Sequence, residues 1–167
     1  MLLGALLVLT TPGSATANPL TRPAAQQRAV ELVLSRALSQ RGVPFVYGGG
    51  DATGPTRPRP AAPAPDPLVA PAAPGVAGFD ASGLVVYAFA GAGIAMPRTS
   101  ADQYRMGRKI LPSQALPGDL IFYGPQGTQS VAIFVGNQQM VEATDPAVTV
   151  SPVRFDGMTP YLVRIIG

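Results

Sequence analysis

The chain has 167 residues, with 12 Lys and Arg against 9 Asp and Glu, 19 Gly, 19 Pro and no Cys, His or Trp. That length suits one domain with a core large enough to fold without disulfide or metal staples, and the missing cysteines remove thiolate metal sites. The missing histidines exclude more. No side chain has an unperturbed pKa near neutrality, so Cys-His and Ser-His nucleophilic mechanisms and His-ligated metals are unavailable, and no cofactor or metal is expected. The net charge of +3 rests on scattered arginines and one lysine, with aromatics at 7%. This is not the clustered cationic surface of a nucleic-acid binder, and no nucleic-acid partner is expected.

Residues 2–9 form an apolar run, followed by turn-prone residues and then Ala15-Thr16-Ala17. The run is too short to cross a bilayer of about 30 Å. With small residues at Ala15 and Ala17 it reads as a signal peptide over 1–17, although it lacks the usual basic start. The expectation is a secreted chain of 18–167, a single domain and a monomer, located in the cell wall or a periplasm-like space and free of membrane once cleaved.

Val30, Val33, Leu34, Ala37 and Leu38 recur at helical spacing within 24–41, with Gly42 placed for a left-handed cap. Gly48-Gly49-Gly50 then demands permissive backbone or close approach. Between 54 and 78 the chain carries eight Pro and seven Ala, which reads as a loop inserted into the domain. Asp80 is a helix N-cap with Ala81 and Ser82 in the first turn, and Leu84, Val85, Ala88 and Phe89 form that helix's buried stripe. A short helix over 101–107 precedes five β-rich runs at 120–123, 131–135, 139–143, 148–153 and 162–166, with Gly136-Asn137 turning between the second and third. Helices first and an antiparallel sheet after them give an α+β class.

Four ordered segments carry a family resemblance: Phe79-Asp80-Ala81-Ser82-Gly83-Leu84-Val85, Met96-Pro97-Arg98-Thr99-Ser100, Leu116-Pro117-Gly118-Asp119-Leu120-Ile121-Phe122-Tyr123 and Ser130-Val131-Ala132-Ile133-Phe134-Val135-Gly136. Together they resemble the NlpC-type (NlpC and p-sixty) peptidoglycan peptidases, and within them the catalytically silent actinobacterial members of the Rip family. The resemblance implies a papain-like α+β domain with N-terminal helices packed on a small antiparallel sheet. In active members a Cys opens the helix, a strand supplies a His, and a polar residue on the next strand orients it. A helix N-terminus and a nearby imidazole favour the thiolate that such chemistry needs. Those positions match Ala81, Ser130 and Glu142 here, so only the third keeps a competent group, and Phe45 stands where many relatives carry a Tyr.

The resemblance therefore implies a secreted pseudoenzyme that binds peptidoglycan, through its stem peptides and crosslinks, without cutting it. Asp80, Ser82, Arg98, Ser100, Glu142 and Tyr47 are the candidate ligand contacts. Asp80 and Glu142 are expected to meet an amino group and Arg98 a carboxylate. Structural alternatives exist for each: Asp80 as a helix cap, Arg98 and Ser100 as turn formers, Glu142 as a solvated remnant. Tyr47, Tyr104 and Tyr123 read as core or half-buried rather than sugar platforms. Asp119 reads as a turn residue, and no spacing supports an acid pair with Asp102. The alternative function is an adaptor or regulator whose Pro-rich loop docks other cell-wall hydrolases.

Overall fold

The computed structural model of the chain describes residues 22–57 and 75–167. The expected signal peptide and residues 58–74 of the Pro/Ala-rich segment lie outside the described residues. Helix α1 (Ala24–Ser39) buries Val30, Val33 and Ala37 and stops earlier than expected. Gly42, at φ 85°, lies beyond its end and turns the chain toward Val43. Helix α2 (Ala81–Ala90) is almost wholly apolar and packs between α1 and the sheet, where Phe79, Leu84, Val85, Ala88 and Phe89 meet Val131, Ile133 and Val141. Helix α3 (Ser100–Arg105) is capped by Thr99 rather than by Ser100, its hydroxyl accepting from the Asp102 N–H at 3.2 Å.

The sheet has six antiparallel strands where five were expected, in the order β1-β6-β2-β3-β4-β5. Strand β1 (Arg108–Ile110) pairs with β6 (Leu162–Arg164). With three residues, two of them charged, β1 carries no alternation to read. Its charge suits an edge strand, where it discourages pairing with other chains. β2 (Leu120–Tyr123), β3 (Ser130–Gly136), β4 (Gln139–Ala143) and β5 (Val148–Pro152) complete the sheet. The β3–β4 turn centres on Asn137 and Gln138, both at positive φ, one residue later than expected. A bulge between Phe134 and Gly136 shifts the register there. Side chains alternate across the strands: Leu120, Phe122, Val131, Ile133, Val141 and Ala143 join the helix-side core, while Ile121, Tyr123, Ala132 and Met140 form a second cluster.

The ends of the Pro/Ala-rich segment are stitched together before it leaves the described residues. Thr56 and Gly78 exchange backbone hydrogen bonds, and the Arg57 Nε–H donates to the Gly75 carbonyl at 3.0 Å.

Asp119 does more than the turn expected of it. Its Oδ2 accepts from the Leu116 N–H at 2.6 Å, which closes the Leu-Pro-Gly-Asp turn. The same carboxylate, 0% exposed, also takes Arg22 at 2.8 Å and Arg164 at 2.7 Å. Arg22 donates further to the carbonyls of Pro117 and Ile166, and Arg164 to that of Gln114. A buried Arg-Asp-Arg group thus fastens the chain ahead of α1 to the last strand. No sequence spacing announces it.

Candidate functional site at the head of helix α2

Asp80 caps α2 as expected, its Oδ1 accepting from the Gly83 N–H at 2.7 Å. Its Oδ2 accepts from the Gly48 N–H at 2.9 Å, so one carboxylate joins the helix start to the glycine run. The approach is close: a Cβ on Gly83 would lie 2.1 Å from the Gly49 carbonyl oxygen, and one on Gly49 would lie 2.6 Å from that of Gly78. Only glycine allows these backbones to meet.

Arg98 and Asp80, expected to take opposite ends of a ligand, are paired with each other. Arg98 Nη1 donates to Asp80 Oδ1 at 2.9 Å and Nη2 to Oδ2 at 2.8 Å. The remaining Nη protons go to Ser82 Oγ at 2.8 Å and the Gly49 carbonyl at 2.9 Å. All four Nη protons are directed at protein acceptors, which makes this side chain a brace for the helix start. Ser82 is buried, its hydroxyl 3.3 Å from Asp80 Oδ1 and already accepting from the guanidinium. The one base within reach among the described residues is the Asp80 carboxylate, already paired with Arg98, and so engaged it is a poor activator of an alcohol. Gln103, fully buried, ties α3 to the same point by donating to the carbonyls of Ser82 and Pro97.

Ala81 stands half-buried in the first turn, its methyl against the helix-side core. Ser130 opens β3 opposite Tyr123. By strand alternation Ser130 and Glu142 share the sheet face of Tyr123, Ala132 and Met140. Glu142 is 2% exposed, and sequence reasoning missed its partners. Arg154 Nη1 and Nη2 donate to its Oε1 and Oε2 at 2.6 and 2.7 Å, and the Ser151 hydroxyl donates to Oε1. Burial pushes the Glu142 carboxyl up, but the Arg154 and Ser151 bonds outweigh it and hold the group below the ordinary glutamate range. The bond to Glu142 likewise raises Arg154, against the opposing effect of burial. The Arg154 guanidinium lies 4.8 Å from the Tyr123 ring centre, and the Tyr123 hydroxyl donates to the Arg154 carbonyl at 3.1 Å. Burial raises the Tyr123 phenol.

The expected pair of carboxylates facing an amino group is therefore not what this surface presents, because both are covered by arginines. Arg154 differs from Arg98: each of its Nη atoms makes one bond among the described residues, and the side chain is 49% exposed. It keeps free donors beside Tyr123. Ser100, in the first turn of α3, and Tyr47, half-buried ahead of the glycine run, make no side-chain hydrogen bond among the described residues. Asp102 is exposed and pairs with Arg105, far from any acid partnership with Asp119. Among the described residues no group of His, Cys, Asp and Glu could hold a metal, and no helix there is long and apolar enough to cross a membrane.

The sequence model of the NlpC/P60 family matches residues 42–167. Peptidoglycan endopeptidase RipB of Mycobacterium tuberculosis is 49% identical over 158 residues, which cover 93% of this chain and 61% of that protein. The chain thus spans less than two thirds of this relative's length. The solved structure of RipD of Mycobacterium tuberculosis, described as a non-catalytic NlpC/p60 domain protein with an adaptation to peptidoglycan-binding function, is 52% identical. It superposes with a TM-score of 0.72 over 82% of this chain and 97% of that one. Structures of the Resuscitation Promoting Factor Interacting protein RipA, mutated at a cysteine, a histidine or a glutamate, superpose with a TM-score of 0.76 at 46–47% identity, over 90% of this chain and 68–69% of those. The three altered residues have the same sequence separations as Ala81, Ser130 and Glu142.

Proposed function

The chain belongs to the NlpC/P60 family, and from that premise we propose that it is a secreted binder of peptidoglycan that holds stem peptides without cleaving them. The observation that carries the reading is the state of the three matched positions. A methyl stands at the helix start, a hydroxyl opens β3, and the surviving carboxylate of Glu142 is engaged by Arg154 and Ser151. A methyl has no lone pair to attack a peptide carbonyl, and a serine hydroxyl does not act as a base near neutrality. The likeness to RipD supports this reading, and so does the match in spacing to the residues altered in RipA.

Stem peptides end in carboxylates, and Arg154 offers them free charge-assisted donors. Asp80, Ser82 and Arg98 brace the start of α2, and Ser100 and Tyr47, whose side chains make no hydrogen bond among the described residues, are the further candidate contacts. Losing a thiolate-imidazolium pair also leaves less charge to desolvate as a ligand enters.

Two variants test the reading. Ala81→Cys with Ser130→His restores cleavage of purified peptidoglycan if the site still positions a stem peptide, with released fragments read by mass spectrometry. Arg154→Gln weakens binding of a soluble cross-linked stem-peptide fragment about tenfold, the order expected for a hydrogen bond to a charged group. Fragments released by the unaltered chain contradict the proposal.

A further inference from the structure

Beside Ser130 lies a concavity that the stem-peptide reading does not use. It is a groove of about 530 Å³, lined by Tyr104, Pro125, Gln126, Gln129, Met158 and Pro160 among others. That volume falls within the usual range of small-ligand sites, roughly 300–1,000 Å³. Gln129 immediately precedes Ser130, so the groove begins where β3 begins.

Its walls are fixed by the protein itself. The Gly124 N–H donates to the Gly157 carbonyl and the Thr159 N–H to the Phe122 carbonyl, both at 2.9 Å, and the Thr128 hydroxyl donates to the Pro125 carbonyl at 2.8 Å. Tyr104 is held by the Lys109 ammonium, 3.4 Å from its ring centre, and by Phe122, whose ring centre lies 5.1 Å away in a T-shaped arrangement. Gln126 sits at φ 53° between two glycines of positive φ. A residue with a long side chain is disfavoured in that conformation, and such outliers concentrate at ligand sites.

The chemistry of the lining is specific. Apart from the Tyr104 phenol it contains no ionisable side chain. Gln126 and Gln129 are exposed, and their amides make no hydrogen bond among the described residues, so each offers two donors and one acceptor. Proline, methionine and tyrosine supply apolar surface between them. Stem peptides carry carboxylates and ammonium groups that call for charged partners. The glycan strand of the same polymer carries hydroxyls and acetamides on rings with apolar faces, which is the complement of this lining.

We propose that this groove binds the N-acetylated glycan of the wall, next to the stem-peptide site. The inference rests on the peptidoglycan-binding reading. The chain then grips the polymer where peptide and sugar join, using charge for one and neutral amides for the other.

The probe is the peptide-free β-1,4-linked tetrasaccharide of N-acetylglucosamine, titrated into the full chain by calorimetry and by amide chemical shifts, alongside a soluble cross-linked stem-peptide fragment lacking sugar. Saccharide binding with shifts at Gly124–Gln129 and Gly157–Pro160 is expected. Gln126→Gly combined with Gln129→Ala weakens it about tenfold or more, as removing neutral hydrogen bonds implies, and leaves the peptide fragment unchanged. Both substitutions remove side chains without internal bonds, so the variant folds, and a circular-dichroism melt checks this. Peptide binding without saccharide binding, or saccharide binding indifferent to the double variant, overturns the groove assignment and leaves the wider reading standing. Failure of saccharide, peptide and insoluble wall alike overturns both.

Discussion

Asp119 and Glu142 are both carboxylates sealed from solvent and gripped by arginine, yet they serve opposite ends of the molecule's economy of charge. At Asp119 the arginines are as enclosed as the acid, with side chains 6% and 8% exposed. Each also donates to main-chain carbonyls, Arg22 to those of Pro117 and Ile166 and Arg164 to that of Gln114. At Glu142 the acid is buried but its arginine is half in water and keeps donors free. The first arrangement is closed off from a ligand, whereas the second presents cationic donors on the sheet face that Ser130 shares. Exposure together with uncommitted Nη protons, not the presence of the ion pair, separates structural staple from candidate contact; Arg98, 40% exposed but with all four Nη protons bonded, stays on the structural side.

That contrast is broken most severely at Asp119. Asp119→Ala leaves two buried guanidinium groups without a counter-charge and costs about 3–5 kcal/mol, read as a lowered urea midpoint. Arg154→Ala uncovers an acid whose partner was partly solvated, so a smaller loss of about 1–3 kcal/mol is expected. Its pH signature sharpens the comparison. Because the folded Glu142 carboxyl lies below its ordinary value, it contributes stability above the unfolded value near pH ~4.3. That contribution is lost as the pH falls through the lowered folded value. Glu142→Gln therefore flattens the dependence of melting temperature on pH below about 4.3, and Arg154→Ala reduces it.

Asp80→Ala removes the α2 cap and the Arg98 brace together, and about 0.5–2 kcal/mol is expected from the cap, again by denaturant titration. At the small end, Arg105→Ala breaks an exposed pair with Asp102 and changes stability by less than ~0.5 kcal/mol. A large loss there would show that exposure is the wrong discriminator.

The helix cap at Asp80, the glycine close approach, the apolar stripe of α2 and most of the sheet are written in local pattern, and they were legible because each depends on residues a few positions apart. The matched positions Ala81, Ser130 and Glu142 were legible through the family resemblance alone. Arg154, Ser151 and the Arg22-Asp119-Arg164 group were not. Their partners lie 9 to 97 residues away and meet only after the sheet is assembled. The division of charge expected between Asp80 and Arg98 failed for the same reason: composition lists two opposite charges, and only the fold shows that they neutralise each other. β1 escaped because three residues carry no period.

The most direct test is co-sedimentation of the unaltered chain with purified insoluble peptidoglycan across a salt series, with the supernatant analysed for released fragments by mass spectrometry. The chain is expected to pellet with the wall, binding to weaken as salt screens Arg154, and no new fragment to be released. A chain that stays in solution at low salt, or that releases peptide fragments, contradicts the proposed function.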